Sequence, residues 1–194
     1  MARGRQKQFD ETDAVERAMQ LFWSRGYEAT GISDLLEATG ISRQSLYDTF
    51  GSKRALFLRS IEHYRTTQLS QALALLEREG SPKENVKAVV AFFESLAADE
   101  RGRGCFVANA LVEVAPHDPE LAGVLEETLD LLQHAVGDAL ERAREQGEIP
   151  ADRAPVALAR ALTNAMVGMA VTGRLASRRA ALKDIFAGTI AMLG

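Results

Sequence analysis

The chain has 194 residues, 46% of them apolar and 26% charged, with a formal net charge of −4 and a single cysteine, Cys105. That length and apolar content suffice for a packed core without staples, and one cysteine closes no intramolecular disulfide. Residues 1–20 carry no apolar run behind their basic start, and Asn164 and Arg174 bound the most apolar stretch, near 166–171, short of the roughly 18 residues of a membrane span, so neither secretion nor membrane insertion is expected and the cytoplasm is the expected address.

Charge is uneven along the chain. Residues 1–65 hold ten Lys/Arg against nine Asp/Glu, whereas 66–194 hold thirteen against eighteen. The basic excess begins with Arg3, Arg5 and Lys7, which suits either a phosphate-touching arm or an ordinary solvated terminus.

Apolar residues recur at i, i+3, i+4 and i+7 almost throughout, and no useful stretch alternates with period two, so the spacing predicts an all-α fold. A first helix starts after Asp10, turns Val15, Ala18, Met19 and Phe22 inward, and stops at Gly26. A short second helix covers about 33–39 and ends at Gly40, and a third covers 43–50 behind the N-cap Ser42, with Ile41, Leu46 and Phe50 as its docking face. A long fourth helix runs from Ser52 to about Glu79, with a stripe of Leu69, Ala72, Leu73 and Leu76. Further helices follow over about 82–98, 104–115, 119–146, 154–174 and 178–193, separated by Gly- and Pro-bearing loops. That makes about nine helices, with no internal repeat.

Two short helices joined by Gly40-Ile41-Ser42 and braced by a longer one in front have the size and turn of a DNA-reading helix-turn-helix. The residues sharpen this. Ala18-Met19-Gln20-Leu21-Phe22-Trp23-Ser24-Arg25-Gly26-Tyr27-Glu28-Ala29-Thr30 resembles the first-helix signature of the tetracycline-repressor (TetR) family. Ile32-Ser33-Asp34-Leu35-Leu36-Glu37-Ala38-Thr39-Gly40-Ile41-Ser42-Arg43-Gln44-Ser45-Leu46-Tyr47-Asp48-Thr49-Phe50-Gly51-Ser52-Lys53 is similar to that family's helix-turn-helix and fourth-helix start, nearly position for position. The resemblance covers roughly the first 60 residues. It implies an N-terminal three-helix DNA-binding domain, set here at 1–52, and a helical ligand-binding and dimerisation domain over 53–194.

Geometry and resemblance together mark Thr30, Ser42, Arg43, Gln44, Ser45, Tyr47, Thr49 and Lys53 as DNA-binding residues. Arg43 and Gln44 begin the recognition helix, where their forks suit guanine O6/N7 and adenine N6/N7, and Lys53 suits phosphate. The family often has histidine at Asp48 and a small or basic pair at Arg43-Gln44. Asp48 either accepts from cytosine N4 or faces solvent. Leu46 and Phe50 are assigned to the core.

The resemblance implies that the fourth to seventh helices surround an inducer cavity, and apolar stripes on the last two helices point to a homodimer, whose two-fold symmetry would set recognition helices about 34–36 Å apart on a palindromic double-stranded operator. Residues suited to lining a cavity are Phe92, Phe93, Phe106, Asn109, Glu113, Met166 and Met169; the aromatics and methionines equally suit an ordinary core, and Asn109 and Glu113 either face solvent or need partners. Leu158, Ala161, Leu162 and Ala165 on one of the last two helices, and Leu182, Ile185, Phe186 and Ile190 on the other, are the expected dimer stripes, with Gly168 and Gly173 allowing close approach; the alternative is that the pair caps the chain's own core. Cys105 sits at a helix start behind Arg101 and Arg103, which would favour thiolate, and some relatives with a similar Gly-Cys-Phe start sense electrophiles or oxidants; the alternative is a buried small hydrophobe. The inducer is accordingly an unidentified small molecule or electrophile. No metal or other cofactor is implied.

An enzyme and a dimerisation module without DNA are the competing classes. His63, His117 and His134 are scattered, and neither a metal-ligand spacing, a phosphate-cradling glycine loop nor a nucleophile motif occurs. A bare dimerisation module leaves Arg43 and Gln44 unexplained. The function expected is a transcriptional regulator, a repressor released by its inducer or by thiol modification.

Overall fold

The computed structural model describes residues 9–194, and every regular element among them is helical. Arg3, Arg5 and Lys7 lie outside the described residues. Two compact units divide the chain, Met1–Tyr64 and Arg65–Gly194.

In the first unit, α1 spans Glu11–Arg25. The Asp10 carboxylate caps it, accepting from the Thr12 and Asp13 N–H groups at 2.8 and 3.3 Å, and acidic Glu11 and Asp13 suit the positive end of the helix dipole. Gly26, at φ 92°, ends it with its N–H on the Phe22 carbonyl at 2.8 Å. Behind it come α2 (Ile32–Thr39), α3 (Arg43–Phe50) and α4 (Lys53–Tyr64). Phe22 meets Phe57 edge-on at 5.0 Å and Trp23 meets Tyr64 at 5.3 Å, around a centre of Met19, Leu35, Leu46, Leu56 and Ile61. At one side His63 Nε2 lies 2.7 Å from Glu16 Oε2, and Gln20 donates to the other Glu16 oxygen at 2.7 Å.

The expected single helix from Ser52 to Glu79 is interrupted. After Tyr64 the chain makes a π-helical segment, Arg65–Leu69, before α5 (Ser70–Leu76). Two β-branched threonines sit in that turn, and their carbonyls carry extra partners: Ser70 Oγ donates to Thr66 O at 2.7 Å and Gln71 Nε2 to Thr67 O at 2.6 Å. Side chains that share helix carbonyls in this way loosen the i→i−4 ladder.

The second unit continues with α6 (Pro82–Ala97), α7 (Phe106–Glu113), α8 (Pro119–Glu145), α9 (Pro155–Thr172) and α10 (Leu182–Ala191). Ser81 and Asp118 cap α6 and α8 through their side chains, each followed by proline at the first turn. α9 packs against α6, α7, α8 and α10. Its 18 residues do meet the length and composition of a membrane span, contrary to the sequence expectation, because Arg160 is the one charged residue inside the run, Asn164 interrupts it only once more, and Arg174 lies beyond it. Almost half of that run is buried inside the unit.

The last helix differs from expectation too. Residues Ala176–Ala181 form a 3-10 helix before α10. None of them is buried, so no apolar face fixes an α-turn there. Of the expected dimer stripes, Leu158, Leu162 and Leu182 are consumed in the unit's own core, and a Cβ on Gly173 would lie 2.3 Å from the Ala97 carbonyl oxygen, so that glycine serves packing within the unit. The outward face of α9 carries Ala157, Ala161, Asn164, Gly168 and Val171, flanked by exposed Val156 and Arg160 and followed by exposed Leu175, while Ile185 of the α10 stripe also stays exposed.

Candidate nucleic-acid interface

The turn between α2 and α3 is closed by backbone and caps. Gly40 takes the left-handed conformation, φ 71° and ψ 11°, and its N–H reaches the Leu36 carbonyl at 2.9 Å. Ser42 then caps α3: its Oγ accepts from the Ser45 N–H at 3.1 Å and lies 2.9 Å from Ser45 Oγ. Ile41, Leu46 and Phe50 are buried, pinning α3 by one face. The other face presents Arg43, Gln44, Asp48 and Tyr47 to solvent, Tyr47 being 42% exposed, while Ser45 and Thr49 are half-buried beside them. Side chains on the first turn of a docked helix, aimed outward and uncommitted to the protein's own groups, are what base-edge reading requires.

Thr30 departs from its expected place. It is fully buried, and its hydroxyl donates to the Gly26 carbonyl at 2.6 Å, so it closes the loop after α1 instead of facing DNA. Lys53 stands at the first residue of α4, with its Nζ 4.3 Å from the centre of the Tyr27 ring. Tyr27 entered the sequence reading only as part of the family signature; an aromatic directly after a helix-ending glycine was the available sign.

At the start of α2, Asp34 Oδ2 accepts the Gly31 N–H at 2.8 Å and Oδ1 meets Arg25 Nη1 at 2.9 Å. The backbone hydrogen bond from Gly31, reinforced by the Arg25 guanidinium and outweighing partial burial, holds the Asp34 carboxyl below its ordinary range.

In the second unit, Cys105 is 7% exposed and occupies the N-cap of α7, where no side chain caps the helix. Nearby, Asn109 is committed in both directions, donating to the Arg103 carbonyl at 2.7 Å and accepting from Arg174 Nη1 at 3.1 Å. Asp99 gathers the Arg101 and Arg103 guanidiniums at 3.3 and 3.4 Å. Burial alone would raise the Asp99 carboxyl, but these bonds and the Arg101 N–H keep it below its ordinary value. Of the residues suited to a cavity, Phe93, Phe106, Met166 and Met169 are buried, and Phe92 and Glu113 are half-buried. Thr163 on α9 carries a buried hydroxyl with no partner among the described residues, a feature the sequence did not signal.

Known proteins agree on both units. Residues 14–59 match the family model described as bacterial regulatory proteins, tetR family, and residues 82–188 match a tetracyclin repressor-like C-terminal domain. The chain is 37% identical over 185 residues to YezE of Bacillus subtilis (strain 168), an uncharacterised HTH-type transcriptional regulator, covering 93% of this chain and 94% of that protein. It is 31% identical to the HTH-type transcriptional repressor ComR of Escherichia coli (strain K12), over 89% of this chain and 83% of ComR. Among solved structures, a cysteine mutant of the TetR family transcriptional regulator CifR, in complex with a 26bp double-strand operator DNA, superposes with a TM-score of 0.86 at 27% identity, covering 96% of this chain and 98% of that one.

Proposed function

Because the chain belongs to the TetR family of bacterial transcriptional regulators, we propose that α3 enters the major groove of an operator, with Arg43 and Gln44 reading base edges and Tyr47 and Thr49 making further contacts. The chain is a DNA-binding regulator and not an enzyme. The observation that carries the assignment is the two-faced α3: Leu46 and Phe50 buried, Arg43, Gln44 and Tyr47 held outward by the Ser42 cap. Ser42 and Ser45 set the helix start, Lys53 meets phosphate, and buried Thr30 drops out of the contact set.

The regulator acts as a repressor in the cytoplasm, as a homodimer on a palindromic operator, and leaves it when the second unit takes up an effector or when Cys105 is modified. ComR supports repression by its name, and CifR supports a double-stranded operator. The exposed small and apolar residues of α9, bordered by Arg160, and exposed Ile185 on α10 support a homodimer through the last two helices. Of the residues suited to a cavity, Asn109 is already spent on Arg103 and Arg174, so an effector would be held mainly by apolar side chains such as Phe93, Met166 and Met169. Cys105 is supported as a sensor only by its place at the α7 N-terminus, while its burial and the engagement of Arg101 and Arg103 by Asp99 favour the small buried hydrophobe. Alkylation of Cys105 that leaves operator binding unchanged rejects that part alone.

Duplexes selected from random sequence by the purified protein test the reading. Paired half-sites about 10 base pairs apart are expected. Arg43→Ala should relax preference at one base position, whereas Lys53→Ala should weaken all sequences alike and flatten the salt dependence. Recovery of no preferred sequence overturns the assignment.

A further inference from the structure

Lys53 occupies an awkward place for a cation. It is the first residue of α4, where the unpaired N–H groups of the helix already present positive potential, and the first turn of α4 contains no acidic residue. Among the described residues no carboxylate pairs with its ammonium. What the ammonium does have is the face of Tyr27, 4.3 Å from Nζ to the ring centre. That half-buried ring packs against the first unit's core, 4.7 Å from Phe57 and 6.0 Å from Phe22 between centroids. The π face supplies the negative density that the helix end withholds.

We infer that Tyr27 is a positioning residue for DNA binding, holding the Lys53 ammonium beside the α4 N-terminus so that lysine and backbone N–H groups form one prearranged phosphate subsite. The inference rests on Lys53 meeting phosphate, as proposed above. A lysine on a flexible stem surrenders its rotamer freedom when it meets a phosphate; one already seated on a ring has surrendered it on folding. An ammonium over a ring still directs N–H bonds away from it, toward an arriving oxygen. Ser52 Oγ, which accepts the Ala55 N–H at 3.0 Å, fixes the same helix start from the other side. No base is read here, so the contribution is the same for every sequence.

The experiment is a double-mutant cycle on operator affinity, measured by fluorescence anisotropy over a range of salt with Tyr27→Leu, Tyr27→Phe, Lys53→Ala and the Tyr27→Leu/Lys53→Ala pair. Tyr27→Leu should weaken binding about two- to fivefold in the presence of Lys53 and leave it unchanged in the Lys53→Ala background, while Tyr27→Phe, which keeps the ring, binds as the parent does. A role in packing alone predicts equal losses in both backgrounds, and that result overturns the inference. Equal damage from Phe and Leu also overturns it, by assigning the effect to the phenol hydroxyl. If Lys53→Ala leaves the salt slope untouched, the phosphate contact itself is wrong and the positioning role goes with it; a changed slope without coupling to Tyr27 sinks the positioning role alone. Should Tyr27→Leu fail to fold, NMR of the parent protein decides, since a seated lysine has its Cε protons shifted upfield by the ring current and an unseated one does not.

Discussion

Asp34 closes α2 from two directions, taking the Gly31 N–H on one oxygen and the Arg25 guanidinium on the other. Its folded-state pKa is lowered, so the stability it contributes is fully present above the ordinary aspartate range and is lost as pH falls through the depressed value. Asp34→Asn should therefore lower the melting temperature at neutral pH, and the difference from the parent should vanish in acid, below that depressed value; a difference that persists there assigns the loss to something other than charge. Thr163 poses the opposite case. Its hydroxyl is buried without a partner, which costs about 1–3 kcal/mol, so Thr163→Val, nearly equal in volume, should stabilise the apo protein by about 1 kcal/mol in urea unfolding. Destabilisation would mean that the hydroxyl is satisfied.

Two glycines decide how elements meet in the second unit. A Cβ on Gly104, itself at φ 62°, would lie 2.4 Å from the Ala170 carbonyl oxygen, and one on Gly173 would lie 2.3 Å from that of Ala97, so backbone meets backbone at both places. Gly104→Ala and Gly173→Ala should each cost about 1–3 kcal/mol. Gly168→Ala, with open space around its Cβ, should be silent in the unfolding of a single chain, and thermal melts of the three variants separate the cases. Close approach at Gly168 and Gly173 was expected from the sequence, but at a dimer stripe; that Gly173 meets Ala97 and Gly104 meets Ala170 within the unit is not encoded in spacing. The bounds of α1, α2 and α3 were legible because caps such as Asp10, Ser42 and Gly40 act within a turn of themselves. The π-helical turn after Tyr64 was not, since the apolar stripe through Leu69, Ala72 and Leu76 runs across it unchanged. Nor was the orientation of α9, where exposed Arg160 and Asn164 mark the solvent side but the apolar stripe of Leu158 and Leu162 suits a partner helix as well as the unit's own core. On α3, by contrast, burial of Leu46 and Phe50 with exposure of Arg43 and Gln44 followed directly from spacing, while the burial of Thr30 depends on a hydrogen bond back to Gly26 that spacing does not encode.

For the whole molecule, the acidic excess of residues 66–194 opposes indiscriminate attraction to DNA, which leaves binding dependent on a few well-placed cations and on pairing two recognition helices. Pairing multiplies a modest single-site affinity by about 10²–10⁴ when the second site binds at the effective concentration set by the first. The outward face of α9 repeats Ala157, Ala161, Asn164, Gly168 and Val171 at heptad-like spacing, small enough for a second copy of the helix to approach closely. Gly168→Arg puts a long charged side chain at the middle of that face without meeting the chain's own interior, since a Cβ there has open space. Light scattering should then report a monomer, against the proposed dimer for the parent, circular dichroism should show unchanged helix content, and operator affinity should fall by about a hundredfold or more. A variant that stays dimeric and binds normally would place the two-fold contact on another face, while one that becomes monomeric yet binds normally would show that each recognition helix reads its half-site alone.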